Sequence, residues 1–140
     1  MESLYGGSRI TSTDLKLQPG VCIKIEGDIP VDAKRFAIEL GKDSGNIGLH
    51  ISPQFNFRNE EKIIVCNSRN DYYWDQAEKQ HYFVFEQGTR TEISVIFEVK
   101  EFKIKLPRGC EFTFPNRLNL EEINFLEIRQ DFTLRSLTIE

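Results

Sequence analysis

The sequence predicts an all-β fold of two antiparallel sheets packed face to face, and three observations carry that prediction. Short runs alternate apolar and polar residues with the two-residue period of a half-buried strand, as where Val21, Ile23 and Ile25 stand between Cys22, Lys24 and Glu26. Turn formers such as Pro19 and Gly20, or Gln87 and Gly88, separate these runs. No stretch sustains a 3.6-residue period beyond about one turn. With helices excluded as a packing layer, sheet on sheet is the architecture that remains.

Each element follows in order. Residues 1–10 read as a loosely held arm before an edge segment at 14–17. The strand at 21–26 is broken by Gly27, Asp28, Ile29 and Pro30, and the next alternates Phe36, Ile38 and Leu40 with Ala37 and Glu39. Residues 42–46 turn the chain back. In the strand at 47–52, Ile47, Leu49 and Ile51 alternate with Gly48, His50 and Ser52, so His50, Ser52 and, with the strand continued, Gln54 share one outward face. A strand at 62–67 ends in Asn67 and Ser68, and a polar loop leads to Trp74, with Lys79 beyond it. Residues 81–85 read as a strongly apolar strand, and 92–99 and 101–106 as two amphipathic ones. Phe112 and Phe114 precede a break at Pro115 and Asn116, and 119–122 suit a single helical turn. Residues 124–128 resume the sheet, and 133–140 end the chain as a strand.

Composition narrows the classes of function. A chain of 140 residues suits one domain with a sizeable core. Its formal charge of −4, with no basic tract, argues against a nucleic-acid surface. The three cysteines, Cys22, Cys66 and Cys110, are odd in number and widely spread, which suits reduced thiols in a cytosol better than a disulfide set or a zinc site. His50 and His81 sit far apart without metal-ligand spacing, so neither a metal nor a cofactor is expected. No nucleophile elbow or phosphate loop is present, which argues against an enzyme. Residues 1–7 lack the apolar core of a signal peptide, and no run approaches the ~20 apolar residues of a membrane span. A cytoplasmic protein is the expectation.

The distinctive side chains gather between residues 49 and 79. Taken singly, His50 is a polar filler on a solvent face, Asn67 a turn former and Trp74 a core residue. Asp71, Asp75 and Gln76 around the only tryptophan favour instead a loop with an exposed ring. Together these residues suit a sugar, whose C–H face stacks on an aromatic plane while its hydroxyls need donors and acceptors at fixed places.

His50, the run Val65, Cys66, Asn67 and Ser68, Trp74, and the stretches at 105–109 and 112–120 resemble the prototype galectins in type, order and spacing over nearly the whole chain. The resemblance implies a jelly-roll-like sandwich, one carbohydrate-recognition domain over residues 1–140 and a β-galactoside or related glycan, as on glycoproteins, for a partner. It also implies a homodimer formed through terminal strands, and export without a signal peptide to an extracellular site of action. The family motif His-x-Asn-Pro-Arg reads here His50, Ile51, Ser52, Pro53, Gln54, and the Glu and Arg that follow the family tryptophan are here Ala77 and Lys79. The carbohydrate-binding set carried over is His50, Ser52, Gln54, Asn67, Trp74 and Lys79, with Arg58 where a family loop histidine often lies near the sugar. Arg58 taken alone is a solvated charge beside Glu60 and Glu61. A charged hydrogen bond is worth roughly 1.5 to 3 kcal/mol and a neutral one about 0.5 to 1.5, so Gln54 in place of Arg costs about 1 kcal/mol. A millimolar site has only about −4 kcal/mol in all. The expected function is therefore lectin activity with weak or altered β-galactoside recognition, the alternative being a sugar-silent structural or protein-interaction module.

Overall fold

The computed structural model describes residues 8–140. Its strands are β1 (Ser8–Ser12), β2 (Cys22–Asp28), β3 (Phe36–Asp43), β4 (Asn46–Phe57), β5 (Glu60–Asn70), β6 (Tyr73–Trp74), β7 (Glu78–Gln80), β8 (Arg90–Phe97), β9 (Glu101–Lys105), β10 (Glu111–Pro115), β11 (Phe125–Gln130) and β12 (Thr133–Ile139). One antiparallel sheet runs β1-β11-β3-β4-β5-β6, with β7 also paired to β5, and the other runs β10-β9-β8-β2-β12. The expected two-sheet sandwich is what forms.

Alternation explains the core. Ile23 and Ile25 from β2, Ile38 and Leu40 from β3, Leu49 and Ile51 from β4, and Ile93, Val95 and Phe97 from β8 are all fully buried between the sheets. Each such side chain contributes about 1.5 to 3 kcal/mol relative to an exposed one. Phe36, Phe85 and Phe132 close one end of the core, with ring centroids 5.6 Å apart for Phe36 and Phe85 and 4.8 Å for Phe36 and Phe132.

Four local expectations are corrected. Residues 8–10 belong to β1 rather than to a loose arm, because the open edge of β11 offers a ladder and Glu127 takes the Thr11 hydroxyl at 2.8 Å; residues 1–7 of that expected arm lie outside the described residues. The segment 14–17 is not a strand, since Asp14 turns at φ 61° and only Leu17 bridges Ile123. Residues 81–85 make no ladder even though Val84 and Phe85 are buried: two adjacent buried residues do not alternate, and the rings of Phe83 and Phe85 dock on Phe55 and Phe36 instead. Residues 119–122 are not helical. There the Asn116 side chain bonds both the N–H and the carbonyl of Leu120, and Asn119 adopts φ 52°.

The strand that carries His50 is irregular. Between Ile47 and His50 the register of β4 slips against both neighbours, leaving Gly48 as the extra residue of a bulge. Gly48 therefore faces inward, where an added Cβ would lie 2.7 Å from Leu120 Cδ1 and 3.1 Å from Phe102 Cζ. The bulge breaks the simple alternation expected from Gly48 to Ser52.

Candidate functional site

The outer face of the first sheet aligns one residue from each of five strands. Thr11 stands opposite Glu127, Glu127 opposite Glu39, Glu39 opposite His50, and His50 opposite Asn67. At about 4.8 Å per strand this row spans roughly 19 Å.

His50 is fixed by what lies behind it. Its Nδ1 is 2.7 Å from Glu39 Oε2, and Glu39 is only 1% exposed. Arg129 donates to both oxygens of the same carboxylate, at 2.5 and 3.2 Å, and to Glu127 at 2.8 Å. Burial works against the Glu39 charge, but the His50 hydrogen bond and the charges of His50 and Arg129 outweigh it and hold the carboxyl below its ordinary value. An ionised carboxylate has no proton to give, so Nδ1–H donates and neutral imidazole keeps its lone pair on Nε2. In that neutral form the free nitrogen is a fixed acceptor for a hydroxyl, and in the charged form a fixed donor.

Trp74 stands beside it. Its ring is 4.8 Å from that of His50 at an interplanar angle of 65°, and the residue is 47% exposed. The Arg69 guanidinium, opposite Trp74 in the β5–β6 ladder, lies 5.2 Å from the indole centroid. The hairpin is pinned through its turn: Asp71 N–H donates to the Asn46 side chain at 3.0 Å and Tyr72 N–H to the Gly45 carbonyl at 2.9 Å. Gly45 is required here, since a Cβ would come within 2.6 Å of the Tyr72 ring. The plate expected from sequence is therefore held in place and open on its surface.

Asn67, 8% exposed, is heavily engaged. Its Nδ2 donates to the Asp75 carbonyl at 3.0 Å, while its Oδ1 accepts from Ser68 N–H at 2.8 Å and from Arg117 at 3.3 Å. Arg117 also donates to Glu78 at 3.1 Å.

The remaining expected residues are spread differently. Ser52 was expected to present its hydroxyl outward, but it is only 3% exposed and donates to the Phe36 carbonyl at 3.0 Å. A side chain this short is covered by its neighbours and reaches only the adjacent backbone. Gln54 bridges Arg35 through the backbone and is partly exposed. Ala77 is exposed in the segment before β7, and Lys79 Nζ is taken up by Glu60 at 2.5 Å. Arg58 sits at the tip of the β4–β5 hairpin, where Arg58 and Asn59 have φ 49° and 66°, the signs a two-residue primed turn demands.

The structure thus brings His50, Asn67 and Trp74 together, turns Ser52 and Lys79 to other partners, and leaves Arg58 at the rim. Sequence reading missed Glu39, Arg129, Arg117 and Glu78, which hold the polar groups from behind. Glu39 carried a signal, as the one charged residue in the apolar run from Phe36 to Leu40. Among the described residues, no group of His, Cys, Asp and Glu could hold a metal ion, and no helix is long and apolar enough to cross a membrane. Cys22, Cys66 and Cys110 are free, and burial pushes the Cys66 thiol up to about 12.

The chain is similar to known proteins along nearly all of its length. A family model of galactoside-binding lectins matches residues 9–139. Galectin-1 of Mus musculus is 40% identical over 131 residues, which cover 94% of this chain and 97% of that protein. CG-16, a homodimeric agglutinin from chicken liver, has a TM-score of 0.92 at 38% identity, covering 95% of this chain and 100% of the other. A toad ovary galectin solved as a complex with thio-digalactose has a TM-score of 0.91 at 34% identity, covering 95% and 98%. With its sandwich and nearly its whole length matched by such relatives, the chain belongs to the galectins, the family of galactoside-binding lectins.

Proposed function

We propose that the protein binds a β-galactoside, or a related glycan on glycoproteins, at the face formed by His50, Asn67 and Trp74, with affinity lowered or redirected by Ser52, Gln54 and Ala77. The observation that carries this reading is the half-exposed Trp74 ring beside an imidazole whose free nitrogen Glu39 orients. An aromatic plane next to a fixed acceptor matches the C–H face and hydroxyls of a pyranose. The toad galectin with thio-digalactose supports the choice of sugar.

Lectin action requires no bond to be made or broken, and we assign no catalytic step. A titration with lactose, read by Trp74 fluorescence and extended to a glycan array, is the test. A dissociation constant of about 1 mM or somewhat below is expected. A folded protein silent to every galactoside on the array would overturn the reading. A sugar-silent interaction module is the second reading, favoured by the Ser52 hydroxyl and the Lys79 amine being committed elsewhere.

Assembly and location extend the proposal. β1 and β12 are unpaired edges at corresponding ends of the two sheets, and such edges need covering. The protein accordingly pairs as a homodimer through them, a reading supported by the homodimeric chicken agglutinin. Sedimentation showing only monomer at high micromolar concentration would refute the dimer. The protein works in the cytoplasm and, after export without a signal peptide, outside the cell.

A further inference from the structure

The polar row of the first sheet ends on the edge strand β1, and the groups along it are matched in charge. Glu39 accepts from Arg129 at both oxygens, at 2.5 and 3.2 Å, and its Oε2 lies 2.7 Å from His50 Nδ1. Arg129 donates in turn to Glu127 Oε2 at 2.8 Å. The other oxygen of Glu127 accepts from the Thr11 hydroxyl at 2.8 Å and stands 3.7 Å from Arg9 Nε, both residues of β1. Two carboxylates thus meet two guanidiniums, and the cluster is neutral before any charge on His50 is counted. Asn67, opposite the imidazole on β5, and Trp74, beside it on β6, carry no charge. Arg117 beyond Asn67 is paired with Glu78 at 3.1 Å, and Arg69 against the Trp74 ring adds only positive charge. Burial works against the Arg129 charge, but Glu39 and then Glu127 hold its value above the ordinary one, so the guanidinium stays charged.

We propose that Arg129 is a positioning residue of the sugar site: with Arg9 it offsets Glu39 and Glu127, so that His50 meets a ligand hydroxyl as an uncharged acceptor with its Nδ1–H fixed on Glu39. This rests on the galactoside reading above. A buried carboxylate must be met by positive charge or by donors. Arg129 meets Glu39 with a planar fork that does not deprotonate, which leaves the imidazole free to stay neutral. Without Arg129, the ion-pair partner left to Glu39 among the described residues is His50 itself. The buried charge then favours the imidazolium, whose outward Nε2–H donates where the neutral ring accepts. The outward nitrogen thus changes role although no group that faces the ligand has been replaced. Arg9 brings β1 into the same arrangement, and acts more weakly because it is exposed to solvent.

The test reads the ring itself. The chain has two histidines, His50 and His81, so imidazole 15N NMR near neutral pH, with His81→Asn for assignment, reports the state of His50. Lactose affinity is read in parallel by Trp74 fluorescence. The parent is expected to show the neutral Nδ1–H tautomer. Arg129→Gln should move the ring signals to those of the charged form and weaken lactose binding about tenfold, the loss of one hydrogen bond. Arg129→Lys keeps the charge and loses the fork, so the signals should stay at the parent's values and the affinity within about threefold. Arg9→Gln, on the exposed edge strand where the core is untouched, should shift the signals in the same direction as Arg129→Gln with about a twofold loss of affinity. A charged ring in the parent, a folded Arg129→Gln protein with the parent's signals and affinity, or a lysine variant no better than the glutamine one would overturn the role of Arg129 and leave the galactoside reading standing. The expected signals in a protein silent to lactose would instead remove the galactoside reading and leave the charge arrangement in place.

Discussion

The two outer faces of the sandwich use the same kinds of side chain to different ends. On the second sheet the charged groups form exposed pairs: Lys24 with Glu140, Lys103 with Glu98, Lys105 with Glu111, and Asp28 with both Arg90 and Arg135. On the first sheet Glu39, Ser52 and Asn67 are buried and joined to other polar groups. Exposed pairs contribute about 0 to 1 kcal/mol each, whereas removing one member of a buried pair costs about 3 to 5 kcal/mol. A face that serves solubility can leave its charges loose. The face proposed to meet a ligand holds its polar groups dry and exposes only their tips, as His50 does above Glu39.

Glu39→Ala is the largest expected break in that contrast. It strands the half-buried Arg129 and frees His50, so about 3 kcal/mol of stability should be lost, against less than about 0.5 for Lys103→Ala on the other face. Urea denaturation of the two variants checks this, and equal losses would contradict it. The sign of the pH dependence follows from the lowered Glu39 pKa. The carboxylate is present and stabilising above its unfolded value of about 4.3, and its contribution is lost as pH falls below that. Glu39→Gln should remove this part of the acid slope.

The second comparison sharpens the sugar-facing side alone. If only the polar ring around Trp74 has drifted, Ser52→Asn, Gln54→Arg and Ala77→Glu together should raise lactose affinity by roughly tenfold or more, about two recovered hydrogen bonds. The three should exceed the sum of the singles, because Arg at 54 without a carboxylate at 77 is unbraced and already faces Arg35. Titration of the parent, singles and triple by Trp74 fluorescence measures this, with Trp74→Ala as the variant that loses all response. A folded triple variant as blind to lactose as its parent would show that these positions do not surround one pocket.

The strands were legible because alternation records which face meets the core, and Trp74 was legible as exposed because polar residues flank it. What failed to show has a common cause. Glu39, His50 and Arg129 come from three strands that meet only through sheet register, so no local spacing announces their network. Gly48 looked like one more outward residue, yet the bulge that turns it inward depends on Leu120 and Phe102 being close behind it. The run 81–85 carried an apolar signal for burial and none for hydrogen bonding, and burial of Val84 and Phe85 was what it delivered.

Asp28 supplies the smallest effect and the cleanest contrast with Glu39. It lies on the second sheet with Arg90 Nε at 2.8 Å from one oxygen and Arg135 Nε at 2.6 Å from the other. The Arg90 hydrogen bond first, then that of Arg135, lowers its carboxyl to about 2. A depressed folded value means that the stabilisation is complete above the unfolded pKa of about 3.9 and is lost as pH falls from there toward 2. Asp28→Asn should therefore lower the melting temperature slightly at pH 7, and the gap between variant and parent should close by about pH 2. Because this pair stands in water, about 0.5 M NaCl at neutral pH should also shrink the gap. The gap left by Glu39→Gln should persist in that salt, since its partners are shielded from mobile ions by the same packing that orients His50. A salt response of equal size for the two variants would mean that the Glu39 network is as wet as the opposite face, and that His50 is not held for a ligand.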